Sequence, residues 1–215
     1  MKSLTEQQKV ILEKLSKSGL AEFFYLTGGT ALSLRYQHRI SEDLDFFSFP
    51  EFAEKKFPLE KTISLFQKVG GEISGIEKGT VWGEVKNIKV SFFSYPYPLL
   101  KPILKICEFP SASDEDIAAS KLVSIAQRGE KKDFFDLWFL CQKYAWDLSF
   151  LLELCRQKYG ISSNQKNLFL RSLVYFEDAD AQTVFLRENE PLEEEKWKEI
   201  KKFFQELVKN FCKNA

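Results

Sequence analysis

The chain has 215 residues, of which 44% are hydrophobic and 29% are charged. Lysine plus arginine and aspartate plus glutamate are equal at 31 each, so no overall electric field draws the protein to nucleic acid or to a membrane surface. This is an ordinary globular composition, and the length suits one large domain or two small ones.

Targeting segments and cysteine spacing indicate the cellular compartment of the protein. Residues 1–17, MKSLTEQQKVILEKLSK, lack the apolar stretch of a signal peptide, and no apolar run approaches membrane-spanning length. The four cysteines form no C-x-x-C pair, which argues against a zinc site and against a disulfide framework. We therefore expect a cytoplasmic protein without a membrane partner.

The amino-terminal half alternates helical and extended patterns. The predicted elements, in chain order, are a helix over residues 4–20, a strand over 23–29, a helix over 30–37 with Thr30 as its cap, a strand over 43–49, a helix over 59–70, and extended segments over 72–79 and 80–95. The last segment is predicted to fold back at Lys86 and Asn87. Together these elements predict an α+β domain.

The carboxy-terminal half is predicted to be helical from Ser113 onward. Helical patterns cover residues 113–129, 131–144, 147–160, 168–176 and 191–211. The character of the sequence changes after YPYPLLKPIL, residues 95–104. We therefore divide the chain into an α+β domain over residues 1–108 and an all-helical C-terminal domain over residues 109–215.

Two aspartates alternate with apolar residues in DLDFFSF, residues 43–49. Because successive side chains of a strand point to opposite faces, Asp43 and Asp45 share one face while Leu44 and Phe46 face the core. Neighbouring carboxylates repel each other unless a cation lies between them, and Mg²⁺ binds a few carboxylates together with water and phosphate oxygens. The pattern predicts a site for Mg²⁺ (or Mn²⁺), with a solvated edge-strand face as the alternative.

Two adjacent glycines, Gly28 and Gly29, end the first predicted strand and precede a helix. Glycine lets the backbone turn sharply and bring its N–H groups close to a phosphate. A helix that starts directly after the turn points its positive end to the same place. The alternative is a strand-to-helix turn that only needs unusual dihedral angles.

Strand, Gly-Gly-Thr, helix and a D-x-D strand, in this order, resemble the nucleotidyltransferase superfamily that includes DNA polymerase β. The stretches GGTALSLRYQHRISEDLDFF and DIAASKLVSIAQRGEKKDFFDLWFL are similar to the AbiEii/AbiGii toxin family of nucleotidyltransferases, over roughly residues 24–140. The resemblance implies a mixed sheet flanked by helices and a helical C-terminal domain. It also implies that Gly28, Gly29 and Thr30 hold the triphosphate and that Asp43 and Asp45 hold the metals.

The second stretch contains charged residues on strongly apolar helices. Asp133 and Asp136 share one face at i, i+3 within KKDFFDLWFL, and an aspartate in such a run is costly to bury without a partner. Lys121 and Arg128 on the preceding helix are the expected partners, and a salt bridge of Arg128 with Asp136 that only joins two helices is an open alternative. The resemblance implies that Lys121 binds nucleotide phosphates and that Asp133 completes the site, as an orienting group or a general base. Arg128 is predicted to contact the nucleotide as well.

The single histidine, His38, precedes Arg39 in YQHRISED. No G-x-S-x-G motif accompanies it, so a serine hydrolase triad is not indicated. We expect His38 and Arg39 to line the cleft or to cap a turn.

One position departs from the family pattern. Enzymes resembling DNA polymerase β usually carry a third carboxylate on a later strand, and the corresponding position in IKVSFF is Ser91. Glu84, across the predicted hairpin, is a possible replacement. The departure predicts either a single tightly held metal ion or a site that binds nucleotide without fast chemistry.

The resulting hypothesis is a metal-dependent nucleotidyltransferase that moves an NMP from an NTP to an acceptor hydroxyl. The resemblance implies that the acceptor is tRNA or another RNA, and that the chain is the toxin of a toxin–antitoxin pair with a cognate antitoxin as its partner. The alternative is a catalytically weak nucleotide-binding or partner-binding module with the same fold. A phosphoester hydrolase that uses the same metals is a third hypothesis.

Overall fold

A computed structural model describes residues 4–187 and 190–214, and the chain divides into two compact units. The first unit comprises residues 4–36 and 41–113, and the second comprises residues 37–40 and 114–214. The division after Ser113 lies five residues beyond the expected boundary at residue 108. The reason is that residues 109–111 form a strand of the first unit's sheet.

The helices and strands of the first unit match most of the elements predicted from the sequence. In chain order they are α1 (Leu4–Ser18), β1 (Phe24–Leu26), α2 (Gly28–Tyr36), β2 (Leu44–Ser48), α3 (Leu59–Lys68), β3 (Glu72–Glu77), β4 (Thr80–Val85), β5 (Ile88–Phe93), β6 (Leu104–Ile106) and β7 (Phe109–Ser111). The predicted turn at Lys86 and Asn87 is confirmed, because both residues have positive φ angles (52° and 63°) and join β4 to β5. Short 3₁₀ segments follow α1 and β2.

The strands form one mixed sheet in the order β3-β4-β5-β2-β1-β7-β6. β2 runs parallel to β5 and β1 runs parallel to β7, whereas the remaining neighbours are antiparallel. The predicted α+β class with a mixed sheet flanked by helices is therefore confirmed. Residues of β2 alternate as expected: Leu44, Phe46 and Ser48 are buried, and Asp45 and Phe47 lie on the more open face.

Phenylalanine rings fill the buried side of this sheet. Phe92 lies 5.0 Å from Phe24, 5.2 Å from Phe46 and 5.5 Å from Phe66 of α3, measured between ring centroids. Phe109 of β7 packs against Phe46 at 4.9 Å. Each fully buried phenylalanine side chain contributes about 1.5–3 kcal/mol. These rings therefore form part of the buried core of the first unit.

The β6–β7 hairpin was not predicted, and its chemistry explains why. Its turn residues, Cys107 and Glu108, have φ angles of 49° and 61°, a left-handed pair that the sequence usually marks with asparagine or glycine. Pro110 lies within β7, opposite Lys105, and proline ordinarily argues against a strand. The register that these residues adopt depends on pairing with β1, which is distant in sequence.

The second unit is mostly helical. Its elements are α4 (Asp114–Arg128), α5 (Lys131–Tyr144), α6 (Leu148–Tyr159), α7 (Lys166–Ser172), α8 (Glu177–Asp180), β8 (Phe185–Arg187), β9 (Glu190–Pro191) and α9 (Glu194–Asn214), with a 3₁₀ turn before α7. The small β8–β9 ribbon is an addition to the predicted helices. None of the helices in the part of the chain that the structure describes is long and apolar enough to cross a membrane.

Helix α4 lies at the centre of this unit and contacts α5, α6 and α7. Helix α9 covers α5 and α6, and inserts Trp197 and Phe204 beside Phe134, with ring centroids 6.0 Å and 5.4 Å away. The indole N–H of Trp197 donates to Asp180 at 2.6 Å. The apolar face of α9 is thus buried, and most of its lysines and glutamates are exposed.

Candidate active site

The first set of predicted site residues lies where β1 turns into α2. Gly28 has a φ of +69°, a left-handed conformation that side chains rarely adopt, so the predicted need for glycine at this turn has a physical basis. Helix α2 begins at Gly28, so the first N–H groups of the helix belong to the Gly28–Thr30 turn. Such N–H groups have no partner within their own helix and attract anions.

The carboxylate of Asp45 lies directly beside this turn. A Cβ atom built on Gly28 would stand 3.9 Å from Asp45 Oδ2, and the backbone N–H of Thr27 donates to the Asp45 carbonyl at 3.0 Å. The sheet therefore brings the predicted phosphate-binding turn and one predicted metal ligand together. Asp43 immediately precedes β2 and is exposed, whereas Asp45 within β2 is half-buried. Continued alternation of the side chains would place Asp43 on the face of Asp45.

Thr30 is not the helix cap that the sequence predicted. It lies inside the first turn of α2, is 2% exposed, and its hydroxyl donates to the backbone carbonyl of Asp43 rather than accepting from its own helix. The Ser41 hydroxyl oxygen is 2.8 Å from the Thr30 hydroxyl oxygen. Thr30 thus ties the segment that carries Asp43 to the start of α2.

Gln8 is a positioning residue that the sequence analysis missed. Its side-chain amide donates to the carbonyls of Ser41 and Glu42 at 2.7 Å and 3.2 Å, and the residue is 1% exposed. Gln8 precedes Leu12 and Leu15 by four and seven residues, so it occupies the apolar stripe of α1. The sequence signal that could have identified Gln8 is a polar residue at a core position of a helix.

Ser91 occupies the strand position that the sequence analysis assigned to it. In the parallel pair of β2 and β5, Asp45 lies opposite Ser91, so a carboxylate at position 91 would share the face of Asp45. Glu84 is opposite Lys89 and exposed, two residues further along the strands. Among the residues that the structure describes, no cluster of three or more His, Cys, Asp or Glu side chains could hold a metal ion. Asp43 and Asp45 provide two carboxylates, a donor set that suits Mg²⁺ only when phosphate oxygens and water complete it.

The second set of predicted residues, in the second unit, forms a buried ionic cluster. Lys121 Nζ lies 2.7 Å from Asp133 Oδ1 and 2.7 Å from Asp136 Oδ2. Arg128 donates through Nε and Nη2 to the carboxylate of Asp133, at 2.9 Å and 3.2 Å. The predicted pairing of Lys121 with these aspartates is present, and the carboxylate that Arg128 contacts is that of Asp133.

Asp136 instead pairs with Arg39. The guanidinium donates through Nε and Nη2 to the two carboxylate oxygens at 2.6 Å and 2.8 Å, and His38 Nε2 contacts Asp136 Oδ1 at 2.7 Å. Residues 37–40 belong to the second unit, and the N–H of Ile40 also donates to the carbonyl of Phe185. The partners are 97 residues apart in sequence, and no local pattern marks the pair.

Burial and charge oppose each other in this cluster. Burial alone raises the pKa of Asp136, but the Arg39 and Lys121 charges outweigh burial and hold that pKa well below its ordinary value. Burial likewise opposes the ionised form of Asp133, yet Lys121 and Arg128 lower its pKa. For Lys121, burial disfavours the charge, and the Asp136 and Asp133 carboxylates outweigh burial and raise the pKa. All three groups are therefore charged near neutral pH.

Comparison with known proteins identifies the family of this chain. The family model described as nucleotidyl transferase AbiEii toxin, type IV TA system, matches residues 10–81 and 87–212. The chain belongs to the AbiEii family. It is a nucleotidyltransferase, as the sequence analysis predicted.

Individual relatives agree with this assignment. An uncharacterized protein of Aquifex aeolicus is 41% identical over the full length of both chains. The nucleotidyltransferase toxin MenT4 of Mycobacterium tuberculosis has a TM-score of 0.63 at 15% identity, covering 96% of this chain and 82% of MenT4. JHP933 from Helicobacter pylori has a TM-score of 0.53 at 21% identity, covering 100% and 96% of the two chains. The similarity to MenT4 shows that the AbiEii chain has the nucleotidyltransferase fold.

Proposed function

We propose that the chain transfers an NMP from an NTP to a hydroxyl group of RNA, tRNA in particular, in a reaction that depends on a divalent metal ion. The observation that carries this proposal is the position of the Asp45 carboxylate, 3.9 Å from the Cβ position of Gly28 in the turn that opens α2. Nucleotidyl transfer needs a cradle for phosphates beside a carboxylate pair that holds a divalent ion. The glycine turn and the two aspartates that support this proposal belong to one unit.

The roles of the first unit's residues follow from their chemistry. The N–H groups of Gly28, Gly29 and Thr30 at the start of α2 would bind the β- and γ-phosphates and stabilise the pyrophosphate that leaves. Asp43 and Asp45 would hold Mg²⁺ or Mn²⁺. When bound, such an ion polarises the α-phosphate and makes the attacking hydroxyl more acidic. The Thr30 hydroxyl would keep Asp43 oriented through its hydrogen bond to the Asp43 carbonyl.

The second unit's residues retain their predicted roles as proposals. Lys121 and Arg128 would contact the nucleotide, and Asp133 would orient them or act as a general base. Because Lys121 is 5% exposed and lies between two buried carboxylates, any substitution of it also disturbs the fold. Activity of a Lys121 variant is therefore informative only beside a measurement of its stability.

Family membership supports the biological part of the proposal. The matching family model describes a toxin of a type IV toxin–antitoxin system, and MenT4 is a nucleotidyltransferase toxin. We propose that this chain is likewise a toxin that acts in the cytoplasm, where NTP and RNA are both present, and that a cognate antitoxin opposes it. Expression should then slow growth, and Asp45→Asn should restore it.

The direct test is nucleotide transfer with purified protein. The protein is incubated with each α-³²P-labelled NTP, Mg²⁺ or Mn²⁺, and total RNA, and the label is followed on a gel. Asp45→Asn should reduce labelling of RNA at least about 100-fold, because charge stabilisation by a bound metal supplies several kcal/mol. Glu51→Gln, which removes an exposed carboxylate outside the site, is the matched control and should label RNA normally.

Each other result has a clear meaning. Full activity of Asp45→Asn would overturn the proposed metal site. Label on the protein itself would mean that the protein transfers the NMP to itself and not to RNA. Metal-dependent NTP binding without any transfer would favour the catalytically weak binding module, for which Ser91 opposite Asp45 is the specific observation.

A further inference from the structure

A row of side chains crosses the sheet face from Asp45 to the edge strand. Strand pairing places Asp45 opposite Ser91, Ser91 opposite Trp82, and Trp82 opposite Gly75. All four positions lie on the face that is away from the phenylalanine core, because Leu44, Val90 and Val81 point to the other side. The row therefore links a predicted metal ligand to an aromatic residue.

Trp82 has a fixed place in this row. A Cβ atom on Gly75 would stand 2.1, 2.5 and 2.7 Å from Cζ2, Cε2 and Cη2 of the indole, so the indole occupies the space that any other residue at position 75 would fill. A register shift in the β3–β4 pair lies between Ile73 and Gly75. Trp82 itself is half-buried. The indole thus lies across β3, on the side of β4 away from Ser91, and is partly exposed.

Ser91 leaves room between Asp45 and Trp82. Neighbouring strands are about 4.8 Å apart, so the backbones of Asp45 and Trp82, two strands apart, are separated by about 10 Å. The indole extends from β4 over Gly75 of β3, so its far ring is about 14 Å from the Asp45 backbone, at three strand spacings. Ser91, the residue between Asp45 and Trp82, has one of the smallest side chains. A nucleotide whose hydroxyl lies on the Trp82 side of Asp45 can therefore extend its base across Ser91 to the near edge of the indole.

The strand order indicates which nucleotide this is. The Gly28 turn follows β1, on one side of β2, whereas Ser91 and Trp82 lie on β5 and β4, on the other side. In phosphoryl transfer the attacking oxygen and the leaving oxygen are roughly in line, on opposite sides of the phosphorus. If pyrophosphate leaves on the side of the glycine turn, the acceptor hydroxyl enters from the side of Trp82.

We propose that the indole of Trp82 stacks on the terminal nucleobase of a single-stranded nucleic-acid acceptor and so positions its hydroxyl at Asp45. This inference rests on the proposed function, because it assigns a role to the acceptor side of the same site. Base stacking on an aromatic side chain tolerates every base, since each base has a π face. Trp82 therefore favours an unpaired end without selecting its sequence.

The test uses two short single-stranded RNA acceptors that differ only in the terminal 3′ residue, which is a normal nucleotide in one and an abasic ribose in the other. Both keep the 3′ hydroxyl. The wild-type protein, with the NTP selected by the labelling assay, should show a KM about tenfold or more lower for the acceptor with the terminal base. Trp82→Ala should lose this discrimination, and Trp82→Phe should retain part of it.

Gly75→Ala supplies an independent variant. Its methyl group would displace the indole without removing it, and Gly75 has no left-handed φ that alanine would strain. It should lower the discrimination as Trp82→Ala does, while thermal unfolding reports whether each variant folds. Unchanged KM values for both acceptors in folded Trp82→Ala would overturn the inference.

Two further outcomes separate the proposals. In Trp82→Ala, a raised KM for NTP with an unchanged KM for the acceptor would overturn the assignment to the acceptor. It would indicate that Trp82 contacts the base of the NTP. Absence of transfer by the wild-type protein on any RNA would overturn the proposed function, whereas transfer that is indifferent to Trp82 would overturn only this inference.

Discussion

Two pairs of aspartates, one in each unit, differ in what surrounds them. Asp43 and Asp45 are two residues apart at a strand, one exposed and one half-buried. Asp133 and Asp136 are three residues apart on α5, and both are 0% exposed. A fully buried carboxylate is stable only if the protein itself supplies its cation, whereas a carboxylate at an open face can take a cation from solution.

The comparison teaches that spacing alone does not distinguish a ligand site from an internal ion pair. Three cationic side chains, Lys121, Arg128 and Arg39, contact the buried pair. That pair should therefore contribute mainly to stability, and the open pair mainly to metal binding.

The largest expected effect on stability is that of Asp136→Asn. The substitution leaves Arg39 and Lys121 buried beside a neutral amide, and breaking a buried ion pair in this way costs about 3–5 kcal/mol. Urea unfolding, followed by circular dichroism, should show this loss. Asp45→Asn should unfold close to the wild-type midpoint, although it loses transfer.

An exposed pair is the control for Asp136. Glu153 and Arg156 are 2.6 Å apart on α6 and remain in water, so Glu153→Gln should shift the unfolding midpoint only slightly. A midpoint of Asp136→Asn equal to that of Glu153→Gln would contradict the role assigned to the buried cluster.

Stability should also depend on pH through the same cluster. The pKa of Asp136 is lowered in the folded state, so the stability it contributes is complete above its unfolded pKa of about 3.9 and is lost as the pH falls through the folded value. The pKa of Lys121 is raised, so its contribution is complete below about pH 10.4 and is lost as the pH rises further.

Thermal unfolding between pH 2 and pH 6 measures the acidic part of this dependence. The wild-type melting temperature should fall steeply below about pH 4, and Asp136→Asn, already destabilised, should show a shallower fall. Parallel curves for the two proteins would mean that the acid sensitivity arises elsewhere in the chain.

Local chemistry explains which parts could be predicted from the sequence. The turn at Gly28 and the spacing of Asp43 and Asp45 depend on residues that are close in sequence. The comparisons confirm the fold class and the family that these patterns indicated.

Contacts between distant residues could not be predicted in the same way. Arg39 pairs with Asp136 across 97 residues, and Lys158 of α6 pairs with Asp116 of α4 at 2.6 Å with both side chains 2% exposed. Lys158 and Asp116 lie on helices whose mutual orientation follows from packing. A sequence pattern shows that such charges need partners but not which partners they find.

The smallest expected effect compares two glycines with nearly the same backbone. Gly28 and Gly160 have φ angles of +69° and +65°, so alanine at either position costs roughly 1–2 kcal/mol of stability for the left-handed conformation. Gly160→Ala places its methyl group in open space, with no atom within 4 Å. Gly28→Ala places it 3.9 Å from the Asp45 carboxylate, beside the N–H groups proposed to bind phosphate.

The two variants should therefore unfold at similar urea concentrations but differ in NTP binding. Calorimetry with Mg²⁺ should give a weaker NTP affinity for Gly28→Ala and an unchanged affinity for Gly160→Ala, because only the first methyl group lies in the proposed phosphate cradle. Equal affinities would show that the turn is only an architectural need of the strand-to-helix connection, and the open aspartate pair would then lose its phosphate-binding neighbour. A selective loss would join the glycine turn and Asp45 in one site, since backbone strain is the same in both variants.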